Sequence, residues 1–277
     1  MFRNITLGQY YPGNSLLHQL DPRVKLFGLV IYIAGVFIID NIWGFLFIAG
    51  SLAVLIAVSR IPLLHMLKGL RAIFVLVLLA VVFNLFSGDT KDALWHWWIL
   101  TISRQSILKA AFFVLRLVCV VLGSSLLTYT TTPTTLTAGL EKVFSHLKFL
   151  HFPAHEIAMM MSIALRFIPI LADEVNKITN AQLARGADFD TGGVLKKAKG
   201  MIPILIPLFV SAFKRASDLA VAMEARCYHG GEGRTRMNPL VYKAADLKAG
   251  AICAAFLAVS IVLRIVMDHS ALAGSIK

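Results

Sequence analysis

Two apolar runs, Leu26–Ile39 and Ile42–Val58, are separated only by Asp40-Asn41. Each is somewhat short of the roughly 20 residues that cross the hydrocarbon of a bilayer. Together they are too long for one helix, so they predict a tight helical hairpin. Asp21-Pro22 opens the first helix, because aspartate suits the N-cap and proline the first helical position. Leu70–Phe86, Ile107–Thr128 and Leu247–Met267 are three further runs. In lipid the backbone must satisfy its own polar groups, and runs of this length do so as helices. The chain therefore reads as an all-α integral membrane protein with about five transmembrane helices. Composition agrees: 58% of its 277 residues are apolar, against about 45–50% in soluble domains. Its mean hydropathy is +0.75.

The net charge of +12 is large for so apolar a chain. The basic residues are interleaved with the spans, which favours the positive-inside rule and anionic headgroups over nucleic acid. Arg3, Arg23 and Lys25 precede the first span, and Arg60, Lys68 and Arg71 lie between the second and third. Asp40-Asn41 carries no basic residue. Ser87–Gln105 has Lys91 and Arg104, offset by Asp89 and Asp92, with Trp95, Trp97 and Trp98 as expected interfacial anchors. This pattern places the N-terminus in the cytoplasm, the Trp-rich loop outside, Thr130–Asp246 inside and the C-terminus outside. Cys119, Cys227 and Cys253 have neither zinc nor disulfide-framework spacing. The first fifteen residues lack the apolar core of a cleavable signal peptide.

Three parts are expected: N-terminal spans in 1–130, cytoplasmic helices in 131–246, and a last span with its tail in 247–277. The middle part is long but not hydrophilic. Three helices are expected there, over about 133–147, 153–185 and 194–226. In the second, Ile157, Met160, Met161, Ala164, Leu165, Ile168, Leu171 and Val175 recur at spacings of three and four. Pro203 and Pro207 should bend or break the third. Asp188–Gly193 reads as a turn and Cys227–Pro239 as a glycine-rich basic loop. These helices look too charged to span and too apolar to lie in water, so their apolar faces must meet lipid, other spans or another protein. Met159–Met161 offer an adaptable surface, and Ala212, Ala216 and Ala220 permit close helix approach. Internal packing fits both features equally well.

Catalytic signatures are missing. No G-x-x-x-x-G-K-[ST] loop occurs; the stretch Gly230–Arg236 has neither its spacing nor its lysine. No H-E-x-x-H, G-x-S-x-G or Cys/His metal pattern is present. His146, His151 and His155 straddle a proline break, which argues against a metal site. Arg116, inside the fourth span, is a functional candidate because a charge in lipid is costly.

Two tripeptides remain, Ala184-Arg185-Gly186 and Ala225-Arg226-Cys227, each ending a long amphipathic stretch. Helix termination is one reading: a cation complements the dipole, and Gly186 suits the C′ position. Docking is the other. A guanidinium between small residues can enter a groove and bond bidentately to carboxylates or helix C-terminal carbonyls.

Here the chain resembles the transmembrane T component of energy-coupling factor (ECF) transporters, a branch of the ABC class. The matching stretches are His18–Leu26 (HQLDPRVKL), Leu165–Pro169 (LRFIP), Ala181–Asp188 (AQLARGAD), Ile206–Phe213 (IPLFVSAF) and Asp218–Tyr228 (DLAVAMEARCY). They are followed by the Gly-rich basic loop. The second motif ends in Cys227 where glycine is common in the family. The resemblance implies an L-shaped helical subunit with no catalytic residue, metal or cofactor of its own, in a prokaryotic cell membrane. It implies two ATP-binding cassette ATPase subunits, holding ATP and Mg, that dock on Ala184, Arg185, Gly186, Ala225, Arg226 and Cys227. It also implies a substrate-binding membrane S component for vitamins or other micronutrients. Ile157, Met160, Met161, Ala164, Ile168, Ile206 and Val210 are the candidate contacts for it. Two alternatives stay open, a self-contained secondary transporter and a membrane enzyme acting on lipid.

Overall fold

A computed structural model describes residues 9–86, 93–97, 100–145, 153–187, 193–230 and 240–274. The elements are α1 (Leu16–Gln19), α2 (Pro22–Ile38), α3 (Ile42–Ser59), α4 (Leu63–Phe86), β1 (Ala93–Trp97), β2 (Leu100–Ser103) and α5 (Arg104–Thr130). They continue with α6 (Pro133–Phe144), α7 (Ala154–Ala184), α8 (Val194–Ala225) and α9 (Ala244–Gly274). The chain divides into two compact units, one holding α1–α5, the hairpin and α9, the other α6–α8. The all-helical reading holds, with one addition. Part of the loop expected between the third and fourth spans forms a short antiparallel hairpin, β1 on β2.

Four helices are long and apolar enough to cross a membrane among the described residues: Ile42–Ser59, Ser106–Thr130, Ala154–Ala184 and Ala244–Met267. The third of these was expected to be too charged to span. Its charges crowd toward the C-terminal half, at Asp173, Glu174 and Lys177, so its first half passes on composition. Of the bend or break expected at Pro203 and Pro207, the break does not occur: α8 runs unbroken through both, as α7 does through Pro169. The third span begins earlier than its hydropathy suggests, at Leu63.

In the first unit α2 and α9 pack along each other, as do α4 and α5. Lipid tails are as apolar as leucine, so close backbone approach and polar contacts must supply the adhesion. Gly35 of α2 provides such an approach, since a Cβ there would overlap the Phe256 ring of α9. Gly123 does the same on α5, where Tyr32 lies across the missing side chain and donates to the Cys119 carbonyl at 3.2 Å. Phe256 stacks on both Tyr32 and Phe47. Around these sit Val36, Ile39, Phe45, Ile48, Leu52, Met66 and Leu126, all buried.

Polar contacts close both ends of α2. At its start Asp21 caps the helix, accepting from the Arg23 N–H at 2.9 Å. The Asp21 N–H donates to Asp246 Oδ1 of α9 at 2.8 Å, while Asp246 Oδ2 accepts from the Lys243 N–H at 2.7 Å. Asp246 thus completes half of a capping box on its own helix and a bond to another. Arg23 pairs with Asp21, donates to the Leu240 carbonyl at 2.9 Å and lies over the Tyr242 ring. Lys25 Nζ reaches the Thr130 carbonyl at 3.0 Å, where α5 ends. At the other end Arg116 donates to the Ile39 carbonyl and to Asp40, both at 2.7 Å, between the Phe37 and Phe45 rings. Arg264 of α9 donates to the Ile38 carbonyl at 3.2 Å. The charge that stood as a functional candidate therefore closes a helix C-terminus and the α2–α3 turn, an architectural task.

Replacing Asp246 with alanine leaves the buried Asp21 N–H without its acceptor. The expected loss is about 1–3 kcal/mol, read as a lowered unfolding temperature in detergent. An unchanged midpoint would show that water replaces the carboxylate.

Candidate functional site

The second unit is a chain of helices, α6 on α7 and α7 on α8. Glu141 of α6 meets His155 Nδ1 of α7 at 3.0 Å; His146 and His151 lie outside the described residues. Arg215 of α8 donates to Glu174 of α7 at 3.0 Å. A second link runs from Gln182 Nε2 to the Pro203 carbonyl, at 3.5 Å. That carbonyl is free because its partner within the helix would be the N–H of residue 207, which is a proline.

Both tripeptides sit at helix ends, as the spacing predicts, and both ends close in the same way. At α7 the Gly186 N–H bonds the Leu183 carbonyl at 2.9 Å and the Ala187 N–H bonds Gln182 at 3.0 Å. At α8 the Cys227 N–H bonds the Glu224 carbonyl at 2.9 Å and the Tyr228 N–H bonds Met223 at 3.0 Å. These are the paired bonds of a Schellman motif. In each, alanine is the last helical residue, arginine is the C-cap and the third residue takes the left-handed backbone. Gly186 has φ 86° and Cys227 φ 58°. Helix termination therefore explains why the third residue is small and why two helices end alike. It leaves the guanidinium unused. Arg185 and Arg226 are both exposed, and neither guanidinium has a hydrogen-bond or ion-pair partner among the described residues. Two equivalent cations are thus presented on rigid helix ends, with small neighbours on either side.

The second set of candidates is also exposed in part. Met160, Met161, Ala164 and Ile168 are exposed on α7, with Ile157 half-buried. Ile206 and Val210 are exposed on α8, together with Met201, Ile202, Phe209 and Phe213. Residues 188–192 and 231–239, which hold most of the expected turn and basic loop, lie outside the described residues. The Glu174–Arg215 pair was missed by the sequence reading. Its signal was available, as opposite charges at one offset, each eleven residues before a motif arginine.

Fold and site together define a polytopic helical membrane protein that ends two long helices in matched arginine caps. Over residues 13–237 the chain matches the family model CbiQ, described as cobalt transport protein. It is 47% identical over 266 residues to the energy-coupling factor transporter transmembrane protein EcfT of Clostridium kluyveri, covering 96% of this chain and 98% of that one. The EcfT of Acidaminococcus fermentans is 46% identical over 264 residues (95% and 98%). That of Bacillus subtilis is 41% identical over 246 residues (89% and 93%). The chain belongs to the EcfT family of energy-coupling factor transporter transmembrane proteins.

A non-glycine residue in the left-handed region costs about 1–2 kcal/mol. Cys227→Gly should remove that cost and slow amide exchange at Cys227 and Tyr228. Gly186→Val should impose it and speed exchange at Gly186 and Ala187. Exchange rates that ignore both substitutions would contradict the cap geometry.

Proposed function

We propose that this chain couples two ATP-binding cassette ATPase subunits to a substrate-binding membrane S component, within an importer for vitamins or other micronutrients. One observation carries the reading: two long helices end in the same hydrogen-bonded turn, each presenting an exposed arginine. A partner built from two like subunits needs two like handles. An arginine fork between small residues can bond helix C-terminal carbonyls or carboxylates in a groove. ATP and Mg belong to the partner subunits, and hydrolysis takes place there. Closure of the ATPases displaces Arg185 and Arg226, and α7 and α8 pass the displacement to the S component. Its contact surface is the apolar face of Ile157, Met160, Met161, Ala164 and Ile168 on α7, continued by Ile206 and Val210 on α8. The complex resides in a prokaryotic cell membrane, with the N-terminus and the caps on the cytoplasmic side.

Arg185→Glu with Arg226→Glu should cut co-purification of the ATPase subunits by about tenfold or more, since a reversed charge opposes the docked contact. The chain should still fold, because neither guanidinium has a partner among the described residues. ATPases retained at the normal level would overturn the docking role.

Ile206→Asp or Val210→Asp should weaken capture of the S component about tenfold and leave the ATPases bound. Pull-downs showing the reverse order would move the surface elsewhere. Solute uptake by the chain alone in liposomes would favour a secondary transporter.

A further inference from the structure

Glu174 and Arg215 are the acid–base pair that joins the two arginine-tipped helices. Glu174 lies eleven residues before Arg185, and Arg215 eleven residues before Arg226. At 1.5 Å per residue each tip stands about 16 Å from the pair along its own helix. The direction of the two arms follows from the second link. From Glu174 to Gln182 α7 advances, while its partner on α8 retreats from Arg215 to Pro203. The helices are therefore antiparallel across the joint, and the two tips leave it on opposite sides.

The form of the bond matters as well. Arg215 uses one nitrogen, Nη2, while its Nε is buried with no partner among the described residues. A fork-on-fork guanidinium contact would fix orientation as well as distance. A contact through one nitrogen holds the distance and constrains the angle less, so the angle between helices rests chiefly on the long Gln182 contact at 3.5 Å. A rotation of about 10° around such a point moves each tip by about 3 Å, given arms of that length.

We infer that Glu174 and Arg215 form a fulcrum, a pair of positioning residues that holds the two arms at a common root so that displacement of one arginine is passed to the other helix. The inference rests on the docking reading for the source of the force. The geometry of the joint does not depend on it.

Spin labels at Asn180 and Ala222, both exposed, report the distance between the arms. The background is cysteine-free, with Cys227→Gly. The full chain is measured in nanodiscs by double electron–electron resonance. Glu174→Arg and Arg215→Glu should each broaden the distance distribution roughly twofold, and the charge swap carrying both should restore it. Glu174→Gln keeps a neutral hydrogen bond and should fall between. A second measurement adds the co-purified ATPase subunits, without nucleotide and with ATP and vanadate. The unsubstituted pair and the swap should shift the mean distance, while the single reversals, with ATPases still bound, should lose most of the shift. Unchanged distributions in the single variants would overturn the fulcrum. So would failure of the swap to restore the width, or release of the ATPases by either reversal. If a reversal yields no folded chain, the Gln variant and the swap decide the matter by the same criteria. The docking reading fails separately, if Arg185→Glu with Arg226→Glu keeps its ATPases.

Discussion

The bond from the Asp21 N–H to Asp246 is the constraint on which the first unit depends. Lipid gives helices no hydrophobic reason to prefer one another, so the register of α2 against α9 has to come from elsewhere. A single carboxylate sets it by serving two helix starts at once. The neighbours extend the arrangement: Arg23 reaches Leu240 and Tyr242 at the entry to α9, and Lys25 reaches Thr130 at the exit of α5. Glycines at 35 and 123 then admit Phe256 and Tyr32 along the shafts. Arginines 116 and 264 close the far end of α2 on its last carbonyls. Fixing the helix at both ends leaves apolar side chains free to face lipid in between.

In the second unit the same economy of local geometry appears twice. Each Schellman turn consumes the backbone donors that follow its helix and leaves the C-cap side chain outside the turn. That is why helix termination and partner recognition are not rival readings of Ala-Arg-Gly and Ala-Arg-Cys. The turn makes the arginine's position reproducible, and the arginine's chemistry remains available. A flexible loop could carry the same guanidinium, but the entropy of ordering it would oppose every contact.

Features decided within a few residues were legible in the sequence. Asp21-Pro22 announced the start of α2, and Gly186 announced the end of α7, because caps are local. Apolar runs announced three of the four helices that are long and apolar enough to span, Ile42–Ser59, Ser106–Thr130 and Ala244–Met267, for the same reason. Contacts between distant residues were not legible. Nothing near Asp21 names Asp246 as its partner. Pro203 and Pro207 argued for a bent or broken helix, and α8 is unbroken; the carbonyl that Pro207 leaves free is taken up by Gln182, a residue of another helix. The hairpin strands are five and four residues long, too short for a period of two to stand out. The charges of α7 were weighed over its whole length, which hid an apolar first half. The two arginine caps were found through their doubling, whereas the pair behind them needed the crossing of α7 and α8 to give it meaning.

Asp21 and Asp246 stand 225 residues apart, and this separation has a consequence in time. A ribosome adding about 5–20 residues per second needs about 11–45 s to cover it. Throughout that interval α2 is already made and the N–H of its N-cap, Asp21, still lacks its acceptor. The early spans must wait in the bilayer, open on one flank, until α9 emerges. Closure of this unit is therefore late: a helix made more than two hundred residues after α2 locks it in place.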